Sequence, residues 1–250
     1  VLLGVLVWVS VRDDPPTVRE QRDLAQAGPV VDRAVGELLA AVGDAGAVVL
    51  TPERVTRGCR ITPMEDGAVL ERGVAVDLAG DDVRGLLERV AARLPADWWA
   101  RVRATDEGVR LRADAGGFVA VEGRPAGPGR ALLTADTGCR PVGAGYRPPT
   151  AAPGPEGAAL AAALRALGLP AAPQPTPSAA PCPAGGGTNT RTVRATGPAP
   201  ATLAALAPLA GGSPVRETPE VYAWRSGPVS VVVERAGDEV RLAASAGCPA

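Results

Sequence analysis

The chain of 250 residues contains no histidine, and all 26 of its basic residues are arginine, with no lysine among them. Each absence removes a class of chemistry. Without imidazole there is no base for a Ser/His/Asp or Cys/His nucleophile and no HExxH zinc site. Without a lysine amine there is no Schiff base and no phosphate-loop lysine, so pyridoxal enzymes and standard P-loop NTPases are excluded. Arginine in place of lysine throughout also fits translation from a GC-rich genome. Aromatic residues make up only 3%, so any core must be built from Val, Leu and Ala. The net charge of −1 provides no global basic field, and no nucleic-acid partner is expected. No sequence feature points to a cofactor or a metal.

What is present is enough for folded domains. Apolar residues are 46% of the chain, and its length suits one large domain or two small ones. Residues 1–10, VLLGVLVWVS, are continuously apolar and give way at once to Arg12-Asp13-Asp14-Pro15-Pro16. Ten residues of helix rise about 15 Å, half the thickness of a bilayer core, so the run is expected to be the C-terminal part of a membrane anchor or signal segment. No small-x-small cleavage site ends it, and no cysteine follows it before Cys59, which favours a retained single-pass anchor with the bulk of the chain extracytoplasmic. Residues 11–28 then read as a stalk or helix.

Cys59, Cys139, Cys182 and Cys248 lack the CxxC spacing of zinc or redox motifs. An even count in an exported chain favours structural disulfides, with three possible connectivities. An internal repeat chooses among them. GGFVAVEGRPAGPGRALLTADTGC (116–139) and GPVSVVVERAGDEVRLAASAGC (227–248) share an order: glycine, apolar strand, arginine, a glycine-containing turn, a second strand, then Ala-x-x-Gly-Cys. Upstream, each first cysteine is preceded by an Ala/Leu/Val helix (29–43 and 156–168) and followed by a strand (73–78 and 190–196) and a helical pattern (81–94 and 199–210). The pairs predicted are Cys59–Cys139 and Cys182–Cys248. The expected organisation is a first repeat at 29–141, a Pro/Gly-rich linker at 142–155 and a second repeat at 156–250.

Thr17 to Glu20 matches a capping box, and Pro29 can open a further helical stretch through Val42. The clearest helix is 82–94, capped by Asp81, with Val83, Leu86, Leu87, Val90 and Leu94 on one stripe. Period-two strands follow at 99–104, 109–114, 118–124 and 130–135, and again at 220–225, 229–235 and 239–245. Two antiparallel meanders with helices on one face give an α+β fold of two tandem related domains, each with one internal disulfide.

The candidate binding residues are Arg101, Arg103, Arg110, Arg112, Trp98 and Trp99. If strands 99–104 and 109–114 pair across Asp106-Glu107, Arg103 faces Arg110 and Arg101 faces Arg112, all on one side of the sheet. Opposed like charges are unfavourable by up to about 1 kcal/mol per pair, so neighbouring carboxylates or an anionic partner must compensate. Glu122 is placed to approach Arg110 if the third strand has the right register. The Trp98-Trp99 pair can stack on a sugar ring, although neighbouring residues at a helix-to-strand junction point to opposite sides and one of them should cap the core. Gly185-Gly186-Gly187-Thr188 lacks phosphate-loop spacing and reads as a loop. The sequential pairs Asp81-Asp82, Asp106-Glu107 and Asp238-Glu239 suit a cap and turns.

The segment LLTADTGCRP (132–141), the Arg/Ala/Val/Gly-rich composition and the anchor-plus-stalk layout resemble uncharacterised exported or membrane-anchored proteins of high-GC actinobacteria. The resemblance implies an envelope location and carries no active-site residues. The function expected is therefore that of a non-catalytic envelope protein, held at the membrane by its N-terminal segment, whose two modules contact another envelope protein or a cell-wall component. The competing expectation is binding of an anionic ligand or glycan on the arginine face or in a groove between the repeats. A hydrolase using two carboxylates is a third.

Overall fold

The computed structural model describes residues 22–152, 154–171, 177–183 and 188–248. The apolar run 1–10, the box at Thr17–Glu20 and Gly185–Gly187 lie outside the described residues. The described residues form an α+β protein with two antiparallel sheets and two disulfides, Cys59–Cys139 and Cys182–Cys248, the pairing that the repeat pattern predicts.

The first half opens with α1 (Leu24–Val42). Its start is fixed by a reciprocal cap in which Gln26 N–H donates to Asp23 Oδ1 at 2.9 Å and Asp23 N–H donates to Gln26 Oε1 at 3.1 Å. Pro29 lies inside this helix and does not open a new one. The helix thus runs through residue 28, where the sequence pattern placed the end of a stalk. A long hairpin follows, with β1 (Ala47–Leu50) and β2 (Arg54–Thr62) laid end to end along β3 (Glu65–Asp77). Then come α2 (Val83–Arg93), a 3-10 turn (Ala96–Trp98), and β4 (Arg101–Thr105), β5 (Gly108–Asp114), β6 (Ala120–Pro125) and β7 (Arg130–Asp136). The cap of α2 is Asp82, whose side chain accepts from Gly85 N–H at 2.8 Å, and not Asp81. The strand order is β1-β3-β7-β6-β5-β4, with β2 also on β3.

The second half comprises α3 (Pro155–Ala166), β8 (Ser178–Pro181), β9 (Asn189–Pro198), a 3-10 segment (Ala204–Ala210), and β10 (Arg216–Glu217), β11 (Val221–Ser226), β12 (Val229–Ala236) and β13 (Glu239–Ala246). The helical pattern at 199–210 is realised only as that 3-10 segment, which has Pro208 inside it. The order of this sheet is β8-β9-β13-β12-β11-β10. In each sheet the last strand lies beside the second member of the opening hairpin, and the meander runs outward from it.

Alternation sorts each sheet into two faces. In the first, Val74, Val76, Leu111, Val121 and Leu133 point to a core closed by α1 and α2. In the second, Tyr222, Trp224, Val231, Val233 and Leu242 face Leu160 and Leu164 of α3 together with Leu203 and Leu206. The halves do not sit apart on the Pro/Gly-rich segment. Ala47, Ala223 and Val232 form a buried seam between β1 and the far face of the second sheet, and Leu50 N–H donates to Thr192 Oγ1 at 3.1 Å. Helix α1 lies so close to β8 that a Cβ on Gly36 would stand 1.8 Å from the Pro181 carbonyl oxygen.

Two ionic clusters tie this contact. Arg72, 1% exposed, pairs with Asp32 and donates to the Ala179 carbonyl at 2.7 Å, while Tyr146 OH donates to Asp32 Oδ1 at 2.7 Å. Asp77, 0% exposed, meets Arg216 at 3.0 Å and Arg130 at 3.3 Å, and Arg130 also pairs with Glu234.

Candidate functional site

The second half covers only one side of the outer face of the first sheet, over β1 and the Asp77–Arg130 corner. Toward β4 that face is open. Here Arg101 stands opposite Arg112 and Arg103 opposite Arg110, in the register expected from the sequence. The short turn at Asp106-Glu107 sets that register, and alternation puts Val102 and Leu111 on the core side. On the next strand Glu122 lies opposite Arg112 and pairs with it at 3.4 Å. The sequence expectation that Glu122 serves Arg110 is thereby corrected; Arg110 is instead met by Glu107 at 2.7 Å, a residue of the preceding turn. Arg101 Nε–H donates to the Trp99 carbonyl at 3.4 Å. Arg103 has no carboxylate partner among the described residues.

The two tryptophans divide as a junction requires. Trp98 ends the 3-10 turn and is buried in the first core at 4% exposure, whereas Trp99 is 69% exposed. Trp224, on β11 of the second half, is also buried. Trp99 takes a left-handed backbone, φ 48°, and so does the exposed Phe118, φ 61°; among the described residues no other non-glycine has positive φ. For a bulky side chain that conformation costs on the order of 1–3 kcal/mol. The sequence signal for an exposed aromatic was the doubled Trp itself; the left-handed backbone left no local signal.

An open groove of about 480 Å³ runs along these residues, lined by Trp98, Trp99, Arg101, Arg103, Arg110 and Arg112, with Thr105, Ala113 and Asp114 at its margins. All six sequence candidates therefore meet in one place. The cationic lining is guanidinium, which stays charged at every physiological pH and donates hydrogen bonds without accepting any. The carboxylate at the margin, Asp114, already caps Gly116 N–H at 2.8 Å. Chemically the groove can hold an anion and stack a flat or apolar group on Trp99. Its lining holds no imidazole, amine or thiol.

The buried clusters are of another kind. Burial lifts the Asp32 carboxyl above the usual carboxylate value although Arg72 and Tyr146 oppose it, and lifts Asp77 despite Arg130 and Arg216. Burial also lowers Arg194, which donates to Ser178 Oγ at 3.1 Å, to about 10. These groups are enclosed between the halves and serve cohesion. Among the described residues no group of His, Cys, Asp or Glu could hold a metal ion, and no helix is long and apolar enough to cross a membrane. No family model, curated protein or solved structure matches the chain.

Proposed function

We propose that the protein is a non-catalytic extracytoplasmic binding protein whose open arginine face holds an anionic component of the cell envelope. The observation that carries this is the pair of directly opposed arginines on β4 and β5 beside an exposed Trp99. Like charges set opposite one another cost up to about 1 kcal/mol per pair, and Glu107 and Glu122 offset only two of the four. An anion in the groove would relieve the remainder. Two disulfides favour an oxidising compartment, and the apolar run at residues 1–10 supports tethering to the membrane. The coincident strand orders of the two sheets support descent of the halves from one ancestral unit by tandem duplication, with the open face kept on the first.

The test is retention on immobilised polygalacturonate, a polymer of uronic acid. Retention should weaken as salt screens the charges, and should be largely lost in the double variant Arg101→Ala/Arg103→Ala. Equal retention by that variant, or none by the parent at low salt, would sink the proposal.

A further inference from the structure

A strand edge left open is a template for another chain, and folded proteins guard such edges by covering, bulging or shortening them or by placing charges on them. The other described edges are covered, bulged or short. On β1, Leu50 N–H is taken by Thr192 beneath the second sheet. The β2 edge breaks register between Arg57 and Cys59 and again between Arg60 and Thr62. The outer stretch of β3 is covered by the segment before the interdomain loop, where Ala68 and Arg140 exchange backbone bonds of 2.9 Å. On β8 the Ala179 carbonyl accepts from Arg72 under α1, and β10 is only two residues long.

Strand β4 is neither covered nor bulged, and its own charges, Arg101 and Arg103, bar only a like-charged strand. Its register with β5 is unbroken over Arg101–Thr105, it ends the sheet, and no described residue bonds its outer backbone. Counting outward from the Thr105–Gly108 pair that closes the hairpin, antiparallel alternation turns Arg101, Arg103 and Thr105 toward β5. The N–H and C=O groups of Val102 and Ala104 therefore point off the free edge. The side chains of Arg101 and Arg103 meanwhile project onto the groove face, two residues apart.

We infer that the β4 edge is a strand-addition site for an extended acidic peptide segment of a partner protein. The backbone of Val102 and Ala104 would bond the incoming strand, and Arg101 and Arg103 would hold carboxylates at alternate positions of it. This rests on the arginine face binding anions, as proposed above, and names the occupant. Charge complementarity selects it. A second copy of β4 would bring arginine against arginine, and a basic strand would do the same, whereas carboxylates at every second residue match the period of the two guanidinium groups.

Fluorescence anisotropy on the full chain separates the possibilities. A labelled short peptide of alternating Glu and Thr should bind in a salt-sensitive manner. The same peptide N-methylated at alternate residues, on the edge that would face β4, keeps its charge but loses its backbone donors. It should bind at least about tenfold more weakly, as expected for two lost hydrogen bonds. Ala104→Pro removes one outward N–H that β5 does not use and should weaken the unmethylated peptide by about threefold or more, as expected for one lost hydrogen bond, while leaving retention on polygalacturonate intact. Equal binding of both peptides, or of both proteins, overturns strand addition and leaves charge alone as the determinant. Polygalacturonate retention without peptide binding overturns the peptide occupant but keeps the basic face. Failure of every anion overturns both proposals together.

Discussion

Replacing Gly36 by Ala sets two well-understood effects against each other. Gly36 lies in the interior of α1, where alanine is favoured over glycine by about 1 kcal/mol through backbone entropy. Propensity alone therefore predicts a more stable protein. The structure predicts the reverse, because the new methyl would lie 1.8 Å from the carbonyl oxygen of Pro181 and 3.0 Å from its carbon. Helix and strand would have to part by roughly 1 Å or more, and a close-packed interior transmits such a shift. Neither side yields easily. Helix α1 is locked by Leu38 and Leu39 in the core, and β8 is held by the Arg72 bond to Ala179 and by the disulfide at Cys182. Overpacking of this kind costs about 1–3 kcal/mol, and contact with backbone puts it at or above the upper end. After the propensity gain of about 1 kcal/mol the net loss is about 2 kcal/mol or more, at roughly 2–4 °C in Tm per kcal/mol for a chain this size. Differential scanning calorimetry reads it directly. Gly157→Ala in α3, where nothing lies within 4 Å of the added carbon, is the control and should gain a few tenths to about 1 kcal/mol. A Gly36→Ala protein that melts at or above the parent refutes the close docking of α1 on β8.

Arg72→Met leaves Asp32 buried without its cation and frees the Ala179 carbonyl, so urea unfolding should show a loss of about 3–5 kcal/mol; a change under 1 kcal/mol would mean that the halves do not depend on this pair. Because burial raises the Asp77 carboxyl above its unfolded value near 3.8, its contribution favours folding below that pH and is lost as pH rises through the folded value. Relative to Asp77→Asn, the parent should thus lose stability on going from acid toward neutral pH, and a gain would show that Arg130 and Arg216 outweigh burial. Trp98→Ala should cost about 3–5 kcal/mol as a core truncation, while Trp99→Gly should be neutral or gain about 1 kcal/mol by relieving its left-handed backbone and yet lose polygalacturonate retention. Equal stability effects at the two positions would contradict their opposite exposures.

The parts of this fold that local pattern specifies were legible in the sequence. The meander strands alternate because one face is buried, and the turn residues between them set the register that opposes Arg101 to Arg112 and Arg103 to Arg110. The disulfide partners followed from the repeated Ala-x-x-Gly-Cys ending. Strand β2 was missed for a physical reason. Arg54, Val55, Thr56, Arg57 and Gly58 are all exposed, so neither face imposes alternation on the sequence. Asp32, Arg72 and Asp77 carry no local signal of burial, because their partners come from segments distant in the chain: Tyr146 and Arg72 for Asp32, Arg130 and Arg216 for Asp77. The same holds for the free edge of β4. The arginine face could be read from spacing, but an edge is defined by strand order, and no local signal states which strand comes last.

That distinction bears on why the chain has a second half at all. If the two units were independent modules on a linker, each would present its own sheet edges and faces, and function could sit on either. Here the second sheet covers the β1 edge with its face, while Arg216 and Glu234 anchor one corner of the first sheet through Asp77 and Arg130. In return, α1 and Arg72 cover its own outer strand, β8. Each half closes an edge of the other, so separating them would expose two strand edges and take the Ala179 carbonyl from Arg72 and Arg216 from Asp77. The second half therefore covers the β1 edge without lining the groove, and leaves β4, with its two arginines, uncovered.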